Sequence, residues 1–211
     1  MFRMILISLV SVFIFSCSDG GDDSNFLTDV RDGQLYRIVK IGNLTWTAQN
    51  MNYKIETRNS DYNSWCYDYN EQNCKKYGRL YSYSSIDDAC PLGWHLPRRT
   101  EWEYLIKAAG GESVAGKKLK SKTSGDGIDE FGFSALLGGY GNINLDDSAR
   151  NSFSVIDEIG YWWSATGGGG GFGYYNNANF FCTSSLSDSF EYCNFGSYFS
   201  GNAFSVRCVK D

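Results

Sequence analysis

Pro97-Arg-Arg-Thr-Glu-Trp-Glu-Tyr-Leu-Ile-Lys-Ala-Ala-Gly-Gly111 is the best helix in this chain. Thr100 and Glu103 form a capping box, Trp102, Leu105, Ile106 and Ala109 recur at helical spacing, and Gly110-Gly111 ends the element. Tyr81 to Ala89 can form a shorter helix capped by Ser84 or Ser85, and Ser113 to Ser121 can add one more. Before them, Asp29 to Tyr53 reads as a β-hairpin: Tyr36 to Ile41 is β-branched and roughly alternating, Gly42-Asn43 supplies the turn and Leu44-Thr45-Trp46 returns. From Phe131 the pattern changes. Phe131–Tyr140, Tyr161–Thr166, Ala178–Cys182 and Phe204–Val209 read as short strands separated by polar or Gly-rich loops, of which Gly167 to Gly171 is the only low-complexity piece. Helices followed by several short strands predict an α+β domain with long loops.

The amino terminus predicts location. Met1-Phe2-Arg3 precedes an apolar stretch from Met4 to Phe15, too short for the roughly 20 residues that span a bilayer but suited to an export signal. Ile14-Phe15-Ser16-Cys17 resembles a bacterial lipobox, which implies cleavage before Cys17 and acylation of its thiol. The expected divisions are a signal peptide over 1–16, the lipidated Cys17 with an acidic tether over 17–28, and one domain over 29–211. Ser18 and the early acidic residues resemble lipoproteins sent to the outer membrane or cell surface.

The net charge is −5, and losing Arg3 leaves 18 basic against 24 acidic side chains. An acidic chain with no basic stripe excludes nucleic acid as an expected partner. The run Lys117-Lys118-Leu119-Lys120-Ser121-Lys122 reads as a solvated face, and a monomer is expected. Aromatic residues form 17% of the chain beside 24 glycines, which fits short strands and ordered loops. With Cys17 acylated, six cysteines remain, an even number in an exported chain and so a disulfide framework with 15 formal pairings. Cys66 with Cys74 and Cys182 with Cys193 are close enough to staple loops. Cys90 and Cys208 are left to tie the middle of the chain to its end. No Cys-x-x-Cys occurs and His95 is the only histidine, so no metal or other cofactor is expected.

Eight blocks in order resemble a known family. They are Asp29–Tyr36, Lys40–Trp46, Ala48–Tyr53, Cys90-Pro-Leu-Gly-Trp-His-Leu-Pro97, Glu101-Trp102 with Ala108–Gly111, Phe131–Leu136, Trp163-Ser-Ala-Thr166 and Ser205-Val-Arg-Cys-Val209. Together they resemble the Fib-succ-major paralogous domain, often called FISUMP, over nearly all of residues 29–211. The resemblance implies an exported or lipid-anchored surface protein with a C-type-lectin-like fold. That fold is more distantly similar to the formylglycine-generating one.

Candidate chemistry is sparse. His95, between Trp94 and Leu96, reads as a structural histidine, and no second histidine offers another geometry for acid–base or nucleophilic work. A formylglycine-type oxidase needs a reducible thiol pair, and Cys182 with Cys193 reads instead as a staple. Asp126, Asp129 and Glu130, or Asp146 and Asp147, read as turn carboxylates before they read as a cation site. No enzyme is expected. The most suggestive segment follows Gly167–Gly171: Phe172, Tyr174, Tyr175, Asn176, Asn177 and Phe180 set flat rings beside amides, a surface suited to sugar rings or to protein. In the lectin-like fold that the resemblance implies, ligands dock at the late loop. The expected function is a lipid-anchored binding or adhesion module for a polysaccharide, glycan or protein. The alternatives are an envelope component without soluble ligand and a formylglycine-type enzyme.

Overall fold

A computed structural model describes residues 25–57, 62–144, 151–165, 179–193 and 201–211. Strands β1 (Phe26–Thr28), β2 (Leu35–Ile41) and β3 (Leu44–Thr47) come first. The β2–β3 turn falls at Gly42, whose φ of +60° suits glycine. Next are β4 (Ser64–Trp65), α1 (Glu71–Tyr77), β5 (Leu80–Ser82) and a 3₁₀ segment over Tyr83–Asp88. Then come β6 (Trp94–His95), α2 (Arg99–Ala108) and α3 (Glu112–Leu119). Strands β7 (Tyr140–Asn142), β8 (Ser152–Ser154) and β9 (Ile159–Ser164) follow. The last are β10 (Asn179–Ser184), β11 (Glu191–Cys193), β12 (Asn202–Phe204) and β13 (Val209–Lys210).

The pairings among these strands are antiparallel and form three sheets, ordered β1-β2-β3-β13-β6, β11-β10-β9 and β4-β5-β12-β7-β8. The class is mixed α+β. Cystines join Cys66 to Cys74, Cys90 to Cys208 and Cys182 to Cys193, the three pairs that the spacing predicts. Among the described residues no helix is long and apolar enough to cross a membrane.

Strand β9 explains the density of aromatics. Side chains alternate faces along a strand, so Trp162 and Trp163 enter different cores. Trp162 packs with Trp46, Trp102, Phe133, Phe181 and Phe190 beneath α2 and α3. Trp163 and Tyr161 pack with Tyr81, Phe204 and Met51 on the other face. Trp102 stacks on both Phe181 and Phe190, with centroids 5.4 and 5.8 Å away.

Three local expectations need correction. The first turn of α2 is capped through Arg98 and Glu101, not Thr100 and Glu103: the Glu101 carboxylate reaches back to accept from the Arg98 N–H at 2.7 Å. Leu80–Ser82 is a strand and only Tyr83–Asp88 winds, as 3₁₀, so the predicted helix over 81–89 starts late and stays short. Phe131–Gly139 is not a regular strand. Phe133, Ala135 and Leu137 are buried at alternate positions as in a strand. Yet Ala135 bonds the C-terminal turn of α3, through its N–H to the Leu119 carbonyl and its carbonyl to the Ser121 N–H.

Arg207 locks this irregular segment in place. It is fully buried, and its guanidinium lies 4.6 Å from the Phe133 ring centroid. Nε donates to Asn50 Oδ1 at 2.6 Å, Nη1 to the carbonyls of Thr47 and Phe133, and Nη2 to the Ser134 carbonyl. Burial lowers its pKa to about 9, which still leaves the group cationic at neutral pH.

Candidate functional site

The register between β7 and β12 builds the candidate site. Asn142 stands directly opposite Asn202, and Gly141 opposite Ala203. Residues two apart on a strand share a face, so Tyr140, Asn142, Asn202 and Phe204 project from one side of the sheet. Gly141 and Ala203 face the other way, where Ala203 joins a small core with Tyr67, Leu80 and Ile143. Tyr161 on β9 closes the third wall, 5.7 Å from Tyr140 edge-on and 5.3 Å from Phe204 in a stack. The result is a pocket of about 280 Å³ lined by Tyr140, Asn142, Val155, Tyr161, Asn202 and Phe204.

Two features set this pocket apart from packing. Neither Asn142, which is exposed, nor Asn202, which is half-buried, has a side-chain hydrogen-bond partner among the described residues. Amides placed beside aromatic walls and left unengaged are available to a ligand. The second feature is Val155, a β-branched residue at φ +58°, followed by Asp157 at φ +61°. Such a conformation costs roughly 1–3 kcal/mol and persists only where its surroundings enforce it. Here the Asp157 N–H donates to Leu137, and the N–H groups of Glu158 and Ile159 converge on the Val155 carbonyl. Gly139 permits the approach, since a Cβ there would lie 2.4 Å from the Ser154 carbonyl. Burial, with Tyr140 beside it, raises the Tyr161 pKa and keeps the phenol protonated.

A larger groove of about 620 Å³ runs past Arg31, Tyr53, Asp88, Trp94 and Asp211, but its charged groups are already engaged. Arg31 lies 3.8 Å over Tyr53, donates twice to Asp29, and bonds the carbonyls of Asp88 and Ala89. Lys54 pairs with Glu56 at 2.6 Å, and the Tyr62 hydroxyl donates to Asp88. Asp211 is held by His95. That histidine sits between two carboxylates, Nδ1 2.6 Å from Asp211 and Nε2 3.0 Å from Glu101. Burial pulls its pKa down, but the Asp211 and Glu101 hydrogen bonds outweigh it and the net shift is upward. His95 therefore clasps the end of the chain after β13 to the start of α2.

Asp126 bonds Lys120 at 2.8 Å, and that hydrogen bond holds its pKa down at about 2. Asp129 accepts from the Ser134 N–H and hydroxyl, and Glu130 pairs with Lys118 at 3.3 Å. The lysine run is not wholly a solvated face. Lys120 is fully buried, and Nζ also donates to the carbonyls of Ser184 and Ser187, docking α3 on the β10–β11 connection. Two triplets bring metal-ligating residue types together, Cys66/Glu71/Cys74 and Cys182/Glu191/Cys193, and in both the sulfurs are joined in cystines. Cys17, Asp146, Asp147, Phe172, Tyr174, Tyr175, Asn176 and Asn177 lie outside the described residues. Phe180 lies in β10, its backbone paired with Trp163 and Cys193. Sequence reasoning placed Tyr140, Tyr161 and Phe204 on strands but missed the pocket. Its members are scattered over residues 140–204; the β7–β12 register brings Tyr140 and Asn142 to Asn202 and Phe204, and β9 adds Tyr161.

No curated protein and no solved structure matches this chain. Residues 39–210 match the model of the family described as Fibrobacter succinogenes major domain. The match covers most of the sequence, and the chain belongs to that family.

Proposed function

We propose that this protein is a non-catalytic carbohydrate-binding module with a C-type-lectin-like fold, held at a bacterial cell surface by acyl chains on Cys17. The observation that carries the reading is the pair of unengaged amides, Asn142 and Asn202, set among three aromatic side chains. Sugar rings present an apolar C–H face and an edge of hydroxyls, and aromatic walls with amides complement both. Export is supported by the lipobox-like Ile14–Cys17 and by three cystines. Phe172, Tyr174, Tyr175, Asn176, Asn177 and Phe180 are proposed as further ligand contacts on the composition of their segment.

The test is retention of purified protein on insoluble polysaccharides and on a glycan array. Wild-type protein is expected to be retained. Replacing Asn142 and Asn202 with Ala is expected to abolish retention, and replacing Phe172, Tyr174 and Tyr175 to weaken it. Retention of neither wild type nor variants on any glycan would leave an envelope component without soluble ligand as the reading.

A further inference from the structure

We infer that the Tyr140–Phe204 pocket takes one neutral pyranose ring at the end of a glycan chain, and takes it without a metal ion. The inference rests on the carbohydrate-binding reading and narrows it. Size is the first argument. At about 280 Å³ the pocket falls just below the roughly 300–1,000 Å³ typical of small-molecule sites, so it holds one ring and not a run of linked sugars.

Charge is the second argument. None of the six lining residues carries a carboxylate, ammonium or guanidinium group. A uronate or sialate would have to leave water for walls that offer it no cation, which is unfavourable. The same composition argues for metal independence. Calcium takes six to eight oxygen ligands, carboxylates foremost, and the lining supplies none. The acidic residues of the 126–130 turn are engaged by Lys120, Ser134 and Lys118.

Orientation is the third. Side chains opposite each other on antiparallel strands stand with Cβ atoms about 4.5–5.5 Å apart. Each asparagine offers an N–H₂ donor and a carbonyl acceptor. Two such amides at that separation can hold hydroxyls on neighbouring ring carbons while the C–H face rests on an aromatic wall. A chain end presents such an edge freely, whereas an internal residue is linked on both sides.

The experiment titrates purified full-length protein in detergent with the methyl glycosides of glucose, galactose, mannose and N-acetylglucosamine, and with methyl glucuronide. Saturation-transfer NMR is recorded with and without EDTA, and the same compounds compete for retention on polysaccharide. At least one neutral glycoside is expected to give a signal that EDTA leaves unchanged and to displace the protein at millimolar concentration, while the glucuronide does neither. Asn142→Asp, which adds charge at constant size, and Asn202→Ala are each expected to weaken that binding roughly tenfold or more. Their thermal midpoints should stay within about 2 °C of wild type. Retention that no single glycoside displaces, that needs calcium, or that survives both substitutions overturns this inference and leaves the binding reading in place. Absence of both retention and saturation signal with every glycan overturns the two together.

Discussion

Arg207 and the Asn142–Asn202 pair are both polar groups set among aromatics, and they differ in what their hydrogen bonds already do. Arg207 is fully buried and commits four of its five N–H groups to Asn50 and the carbonyls of Thr47, Phe133 and Ser134. The two asparagines line a cavity, and their side chains bond no described residue. A buried polar group with partners holds a fold together; an available one with aromatic neighbours is free to recognise something else. The same contrast separates the larger Arg31 groove, whose ions are paired within the chain, from the smaller aromatic pocket.

Substitutions can break that contrast. Arg207→Met should produce the largest loss of stability. Three carbonyls lose their donor at roughly 1–3 kcal/mol each, so at least about 3 kcal/mol should vanish from urea unfolding. Arg207→Lys should recover little, because a single ammonium cannot fork to Thr47, Phe133 and Ser134 at once. Removing the Cys90–Cys208 cystine, which closes a separation of 118 residues, should cost about 2–5 kcal/mol, read as a lowered thermal midpoint.

His95→Gln should have a smaller effect, and one that depends on pH. The folded pKa of His95 is raised above its ordinary 6.5. Its contribution is therefore fully present below about pH 6.5 and fades as pH rises through the raised value. The gap in thermal midpoint between wild type and variant should be widest near pH 5.5 and narrow toward pH 9. A gap independent of pH would contradict the clasp. Smallest of all on stability should be Asn142→Ala with Asn202→Ala, within about 0.5 kcal/mol per site. A large destabilisation there would mean that the amides serve the fold after all.

What was legible in the sequence was what depends on local periodicity. Helix α2 announced itself because Trp102, Leu105, Ile106 and Ala109 fall on one face, and all four are buried. The β2–β3 hairpin announced itself through Gly42 and the alternation before it. The cystines followed from the spacing and even number of the cysteines after Cys17. Helix α1 was missed because it has seven residues and little apolar period; the Asn70 side chain caps it, and the Cys66–Cys74 cystine ties its middle to the preceding segment. The 131–139 segment mimicked a strand because Phe133, Ala135 and Leu137 alternate inward, yet its carbonyls serve Arg207 in place of a ladder. The pocket left no local trace. Tyr140 and Asn142 meet Asn202 and Phe204 only through a pairing that spans 60 residues of chain.

The most direct measurement follows the side-chain amide resonances of Asn142 and Asn202 while a binding sugar is added. The account predicts that these two N–H₂ pairs move first and saturate together, with the rings of Tyr140 and Phe204 beside them. Shifts gathered instead around Arg31, Tyr53 and Trp94, or absent from Asn142 and Asn202 at saturation, would contradict it.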